Sequence, residues 1–106
     1  MARTERRRDA RIPLSRPVKL RCIETGRYLA GQTDNLSASG ALLEINHPSL
    51  LVPGQRIQVG IAWGRGQAVI DSGSLAEATV VRSLGLGNVQ RIAVQFSHRQ
   101  EMALTG

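Results

Sequence analysis

The sequence predicts an all-β fold, a small antiparallel barrel built from five to seven short strands. Three observations carry that reading. Apolar and polar residues alternate in short runs such as Val18-Lys19-Leu20-Arg21-Cys22 and Ile92-Ala93-Val94-Gln95-Phe96. That period of two marks a strand with one buried face. Turn formers punctuate the runs at short intervals, among them Gly64-Arg65-Gly66 and Gly85-Leu86-Gly87-Asn88. Between the termini, no stretch keeps the 3.6-residue period of an amphipathic helix. The 106 residues suit one domain with one modest core. Hydrophobic residues make up 42% but aromatics only 3%, so Val, Ile, Leu and Ala must fill that core.

Taken in order, residues 1–16 show no periodicity. Pro13 and Pro17 disfavour a helix around Leu14-Ser15-Arg16, so an extended, flexible arm is expected there. The first strand begins near Val18, with Val18, Leu20 and Cys22 facing inward. Glu24-Thr25-Gly26-Arg27 is a turn. Tyr28 to Asn35 is the second strand and Gly40 to Ile45 the third. Asn46-His47-Pro48 breaks the third strand, and residues 49–54 form a loop. Ile57, Val59, Ile61 and Trp63 share the inner face of a fourth strand, and Gly64-Arg65-Gly66 turns the chain. Residues 67–73 offer a short strand, and Leu75 to Arg82 a further one. The glycine-rich stretch at 85–88 makes a hairpin turn into the last strand, centred on Ile92–Phe96. Residues 97–104 could begin a short C-terminal helical turn. The chain thus divides into a basic N-terminal arm, residues 1–16, and a barrel, residues 17–106.

Charge is unevenly spread. The formal net charge is +6, and the first 16 residues hold six arginines against Glu5 and Asp9. A positive end on a nearly balanced body calls for an anionic partner met by the N-terminus. The single cysteine, Cys22, excludes an internal disulfide and a cysteine-only zinc site. Its place in an alternating run suits a small buried hydrophobe. No apolar run follows the basic start, and none reaches the ~18 residues of a membrane span. A cytoplasmic location is the default expectation.

Two polar stretches stand out. In Glu5-Arg6-Arg7-Arg8-Asp9-Ala10-Arg11, four arginines fall within six positions. Arg7 and Arg11 are four apart. A guanidinium is planar, always charged, and forked to grip two acceptors, so two of them can hold one compact anion from two sides. A solvated basic tail is the plain alternative. The second stretch is Asp34-Asn35-Leu36-Ser37-Ala38-Ser39-Gly40, at the junction of two strands. The Asn35 amide offers donors and an acceptor to a base edge. Ser37 can serve a phosphate or the backbone. Gly40 permits a positive φ or a close approach by a ligand. An ordinary hairpin turn uses the same residue types.

Together, Arg7-x-x-x-Arg11 and Asn35-x-Ser37-x-x-Gly40 resemble the paired motifs of the PilZ domain family, RxxxR followed by (D/N)xSxxG. Leu42, Leu43 and the strand Ile92–Phe96 are similar as well, and the resemblance covers essentially the whole chain. It implies a six-stranded antiparallel barrel that binds cyclic di-GMP. Arg7 and Arg11 would grip phosphate and guanine, while Asn35, Ser37 and Gly40 hold the other side of a guanine. Arg6 and Arg8 flank the first motif as further phosphate contacts. A late-strand residue can also touch the ligand in this family, and Arg82 or Val81 is the candidate. The resemblance further implies a protein effector rather than an enzymatic reaction. Asn35 stands where many members have Asp. An amide holds the guanine N1–H and N2–H edge less strongly than a carboxylate does.

Other constellations carry less. His47 and His98 have no Cys or carboxylate at metal-ligand spacing, so no metal or other cofactor is expected. Gly64-x-Gly66 and Gly85-x-Gly87 are not followed by helices, which excludes a nucleotide-binding glycine loop. Catalytic carboxylate pairs and a nucleophile elbow are absent. Two alternatives to a cyclic di-GMP receptor remain. One is a basic barrel that binds nucleic acid, which the lack of aromatics for base stacking disfavours. The other is a PilZ-like protein-interaction domain without a ligand.

Overall fold

The computed structural model describes residues 12–47, 51–62 and 75–100. They form six strands: β1 Pro17–Cys22, β2 Tyr28–Leu36, β3 Gly40–Ile45, β4 Arg56–Ile61, β5 Ala76–Leu86 and β6 Val89–Phe96. Every pair is antiparallel, and the sheet closes on itself in the order β1-β2-β3-β6-β5-β4. This is the six-stranded barrel that the motif resemblance implies. Closure leaves none of the six strands with an unpaired edge, the exposed feature that open sheets must otherwise protect.

The alternation seen in the sequence becomes the inside and outside of the barrel. Val18, Leu20 and Cys22 of β1 point inward, while Lys19 and Arg21 point out. Leu20, Leu36, Leu43, Ile45, Ile57 and Ile92 are fully buried and form the centre of an aliphatic core. Among the described residues, Phe96 is the one aromatic ring in that cluster. Each such aliphatic side chain contributes ~1.5–3 kcal/mol by leaving water, so a mainly aliphatic core suffices for a barrel this small.

Two β-bulges interrupt the ladders. In β2, Thr33 pairs with Leu43 and Asn35 with Leu42, so Asp34 is an extra residue. In β5, Val80 pairs with Val94 and Arg82 with Ala93, which makes Val81 the extra one. An extra residue breaks the period of two, so neighbours can share a face. Thr33 and Leu36 are buried inside, and Asp34 and Asn35 both lie toward the outer side. Val81 and Arg82 are likewise both exposed.

The bulge carries β5 beyond Arg82, where the sequence suggested its end, to Leu86. The hairpin turn therefore narrows to Gly87-Asn88, with Leu86 paired to Val89. Gly87 has φ 72° and Asn88 is not left-handed, the pattern of a type II′ turn. Trp63, the turn at 64–66 and the short strand suggested at 67–73 lie outside the described residues.

Segments at both ends of the described chain are tied to the barrel. Ile12 and Leu36 exchange backbone hydrogen bonds, N–H to O at 2.8 Å and 2.9 Å. The Thr33 N–H donates to the Arg16 carbonyl at 2.9 Å. The buried Thr33 hydroxyl donates to the Leu14 carbonyl and accepts from the Arg16 N–H. Residues 12–16, read from the sequence as part of an arm, thus run along β2. At the other end, residues 97–100 contain no helix, and 101–104 lie outside the described residues.

Candidate functional site

The stretch Asn35–Gly40 closes the β2–β3 hairpin. Its geometry follows from Ser37. The Ser37 N–H donates to the Gly40 carbonyl at 2.9 Å. The Ser37 hydroxyl also donates to that carbonyl and accepts from the Gly40 N–H, both at 3.1 Å. Ser37 is only 3% exposed, so its side chain is spent on the turn. Neither Ala38 nor Ser39 has a positive φ. A turn without left-handed residues matches strand twist poorly, and the hydroxyl bonds supply the closure that backbone alone would lack.

Gly40 does not adopt a positive φ. Its glycine character has a packing reason. A Cβ built there would stand 2.6 Å from the Val94 carbonyl oxygen of β6. The turn is also held from below. The Ser39 carbonyl accepts from the Phe96 N–H at 2.8 Å, and the Ala38 carbonyl accepts from the Gln100 N–H at 2.7 Å. The hairpin tip is therefore fixed between the Ile12 segment on one side and the end of β6 on the other.

Beside this turn, the outer faces of β3, β6 and β5 form two adjoining hollows. One, of about 250 Å³, is lined by Ser39, Gly40, Val81, Arg82, Ala93 and Gln95, among others. Its neighbour, of about 270 Å³, is lined by Leu42, Arg82, Ser83, Leu84, Arg91 and Ala93. Arg82 and Ala93 border both. Arg82 is exposed and pairs across the ladder with Ala93. The structure thus brings Gly40 and Arg82 to one hollow, and sets Asn35 directly across the ladder from Leu42 of the second. Arg6, Arg7, Arg8 and Arg11 lie outside the described residues.

The second hollow is apolar on its floor and charged at one border. Arg91 Nε lies 3.5 Å from Asp34 Oδ2, an ion pair that reaches over the outer face of β3. That oxygen is closed to water and has no hydrogen-bond partner. The contact is thus electrostatic attraction at the outer limit of hydrogen-bond distance. Arg91 and Thr33 are absent from the sequence reading of the site, and Asp34 enters it only as the first residue of the polar stretch, with no role. Their positions depend on the bulge, and the only local trace is the run of three polar residues Thr33-Asp34-Asn35, which breaks alternation.

A third hollow, of about 170 Å³, opens at the opposite end of the barrel between Cys22, Thr25, Arg27, Leu29 and His47. Burial pushes the Cys22 thiol above its ordinary range, against a smaller lowering by its hydrogen bond to Thr25. A desolvated thiol stays protonated and inert. Among the described residues, no three His, Cys, Asp or Glu side chains gather as metal ligands, and no helix is long and apolar enough to cross a membrane.

This constellation of a closed six-stranded barrel and a serine-locked hairpin beside an outer groove is that of a known domain family. The chain belongs to the PilZ domain family, whose model matches residues 5–104. Solved structures of the same fold include the motility inhibitor MotI (DgrA) of Bacillus subtilis, at TM-score 0.67 and 18% identity over 93% of this chain. The chain spans 46% of MotI, about half its length. The PilZ domain of YcgR from Escherichia coli, solved with cyclic di-GMP, matches at TM-score 0.62 and 19% identity, over 88% of this chain and 79% of that one. The PilZ domain of CeSA from a cellulose-synthesizing bacterium matches at TM-score 0.58 and 19% identity, over 83% and 80%. No curated protein matches the sequence.

Proposed function

We propose that this chain is a cyclic di-GMP receptor of the PilZ type, a binding and signalling module rather than an enzyme. Residues 1–16 act as the basic arm and residues 17–106 as the barrel. The observation that carries the reading is the hydrogen-bonded pair Ile12–Leu36, between Asn35 and Ser37 of the second motif. Arg11 is the residue before Ile12, and consecutive Cα atoms are ~3.8 Å apart. Arg7 is five residues from Ile12, within a reach of roughly 18 Å at full extension. Both arginines are therefore within chain reach of a ligand that touches the turn.

In this reading Arg7 and Arg11 clamp phosphate and guanine, with Arg6 and Arg8 adding positive charge. Asn35 meets a guanine edge. Ser37 acts through the turn it closes, and Gly40 keeps the backbone open beside the groove. Arg82 supplies a cation from the far wall. Four neighbouring guanidinium groups repel one another until an anionic ligand offsets their charge, so binding orders the arm and creates a surface for a protein effector. The YcgR PilZ domain, solved with cyclic di-GMP, lends support as a protein of the same fold. Calorimetric titration with cyclic di-GMP, GMP and a short oligonucleotide tests the proposal. Tight binding of the cyclic dinucleotide alone is the expected result. Comparable affinity for GMP, or preference for the oligonucleotide, would overturn it.

A further inference from the structure

The bulge in β2 does more than end a ladder. It lets Asp34 and Asn35, consecutive residues, both lie toward the outer side of the barrel. Asn35 is the motif position where an amide replaces the stronger acceptor. The carboxylate beside it is unusual in two respects. Its Oδ2 is closed to water yet accepts no hydrogen bond. The same oxygen faces the Arg91 guanidinium at 3.5 Å. An acceptor withdrawn from water without a partner costs about 1–3 kcal/mol, more when charged, and such groups in native proteins call for an explanation. The Asp34 side chain as a whole is 28% exposed. With Oδ2 closed off, that exposure belongs to the remaining side-chain atoms.

We propose that the Asp34–Arg91 pair is a guanine-reading element, one that supplies the carboxylate the Asn35 motif lacks. This rests on the cyclic di-GMP reading above and adds the residues that select the base. Along its Watson–Crick edge, guanine presents N2–H, N1–H and then O6: two donors beside an acceptor. A carboxylate next to a guanidinium presents the complement, an acceptor beside a donor fork. Asp34 accepts from N1–H and N2–H through Oδ1, while Arg91, held in place by Asp34 Oδ2, donates to O6. Arg91 is half exposed and borders the hollow whose floor is Leu42, Leu84 and Ala93. That apolar floor suits the flat face of a base. Adenine has no N1–H and carries an amino group where guanine has O6, so the same pair rejects it.

The test uses three cyclic dinucleotides, with guanine, hypoxanthine or adenine as the base, titrated into the full chain. Hypoxanthine keeps N1–H and O6 but lacks the 2-amino group. The parent protein is expected to prefer guanine over hypoxanthine by at least roughly 10-fold, the effect of one hydrogen bond to a charged group. Asp34→Asn is expected to lose guanine affinity by roughly 10- to 100-fold and to narrow that preference. Arg91→Gln is expected to weaken guanine and hypoxanthine ligands alike, because both carry O6. The preference within one variant does not depend on how much of it is folded, so loss of stability cannot imitate the result. Asp34→Asn with the parental preference, or a parent that does not distinguish the two bases, would overturn the inference and leave the receptor reading standing. A parent that binds no cyclic di-GMP would remove both.

Discussion

Replacing Gly40 by alanine tests the barrel at the point where it meets the candidate site. Gly40 opens β3 and pairs with Gln95 of β6. The added Cβ would lie 2.6 Å from the Val94 carbonyl oxygen. Carbon–oxygen contacts between strands sit at about 3.3–3.6 Å, so the two strands must part by roughly 0.7 Å or more. The obstacle is backbone, and no rotamer change relieves it. Overpacking of this kind costs ~1–3 kcal/mol. The lower entropy of an unfolded chain with alanine offsets about 0.4–1 kcal/mol of that. A net loss of about 1–2 kcal/mol lowers the melting temperature of a domain this size by roughly 4–16 °C. Thermal unfolding of Gly40→Ala without ligand, followed by circular dichroism, measures it. A melting point within about a degree of the parent would refute the reasoning, because β3 and β6 would not approach as closely as described.

Four further outcomes are expected. Gly31→Ala is expected to destabilise more than Gly40→Ala in the same assay, since its Cβ would run into the Glu44 carbonyl oxygen and stand 2.9 Å from the Ile45 Cα. Arg7→Ala and Arg11→Ala are each expected to weaken cyclic di-GMP binding by roughly 5- to 150-fold in calorimetry, the value of a bidentate arginine–guanine contact, with the ligand-free melting point little changed. Amide exchange across residues 5–11 is expected to slow on addition of cyclic di-GMP, while Ile12, Arg16 and the turn at 35–40, already hydrogen-bonded, change little; equal exchange of residues 5–11 in both states would remove the arm from the switch. Cys22 is expected to resist alkylation in the native barrel at pH 8 and to react in denaturant. Its native pKa lies above the unfolded value, so its contribution to stability is complete below the ordinary thiol range and is lost as pH rises through the raised native value.

Local signals determined a good part of this protein. Strand alternation survives whichever neighbours a strand takes, because one face is buried in any arrangement. For that reason β1 and β3 appear in the structure within a residue of where Val18–Cys22 and Gly40–Ile45 suggest them. The hairpin at Asn35–Gly40 was legible for the same reason, since turn chemistry is written in adjacent residues. What depends on a distant partner was not. A bulge is defined by the register of the opposing strand, so Asp34 read as one more polar residue and Val81 as one more apolar one. In the sequence β5 ends at Arg82, because the bulge there breaks alternation, while in the barrel it runs on to Leu86. Gly40 looked like a residue kept for a left-handed turn or a ligand. Only the closeness of Val94, fifty-four positions away, shows that a neighbouring strand requires it. Thr33 in the sequence is a polar residue in a strand. In the barrel it is buried and hydrogen-bonds the segment that follows the arginine motif, because closing the sheet brings residues 14–16 against β2. Period and turn chemistry act over a few residues, whereas register, closure and close approach exist only once remote strands have met.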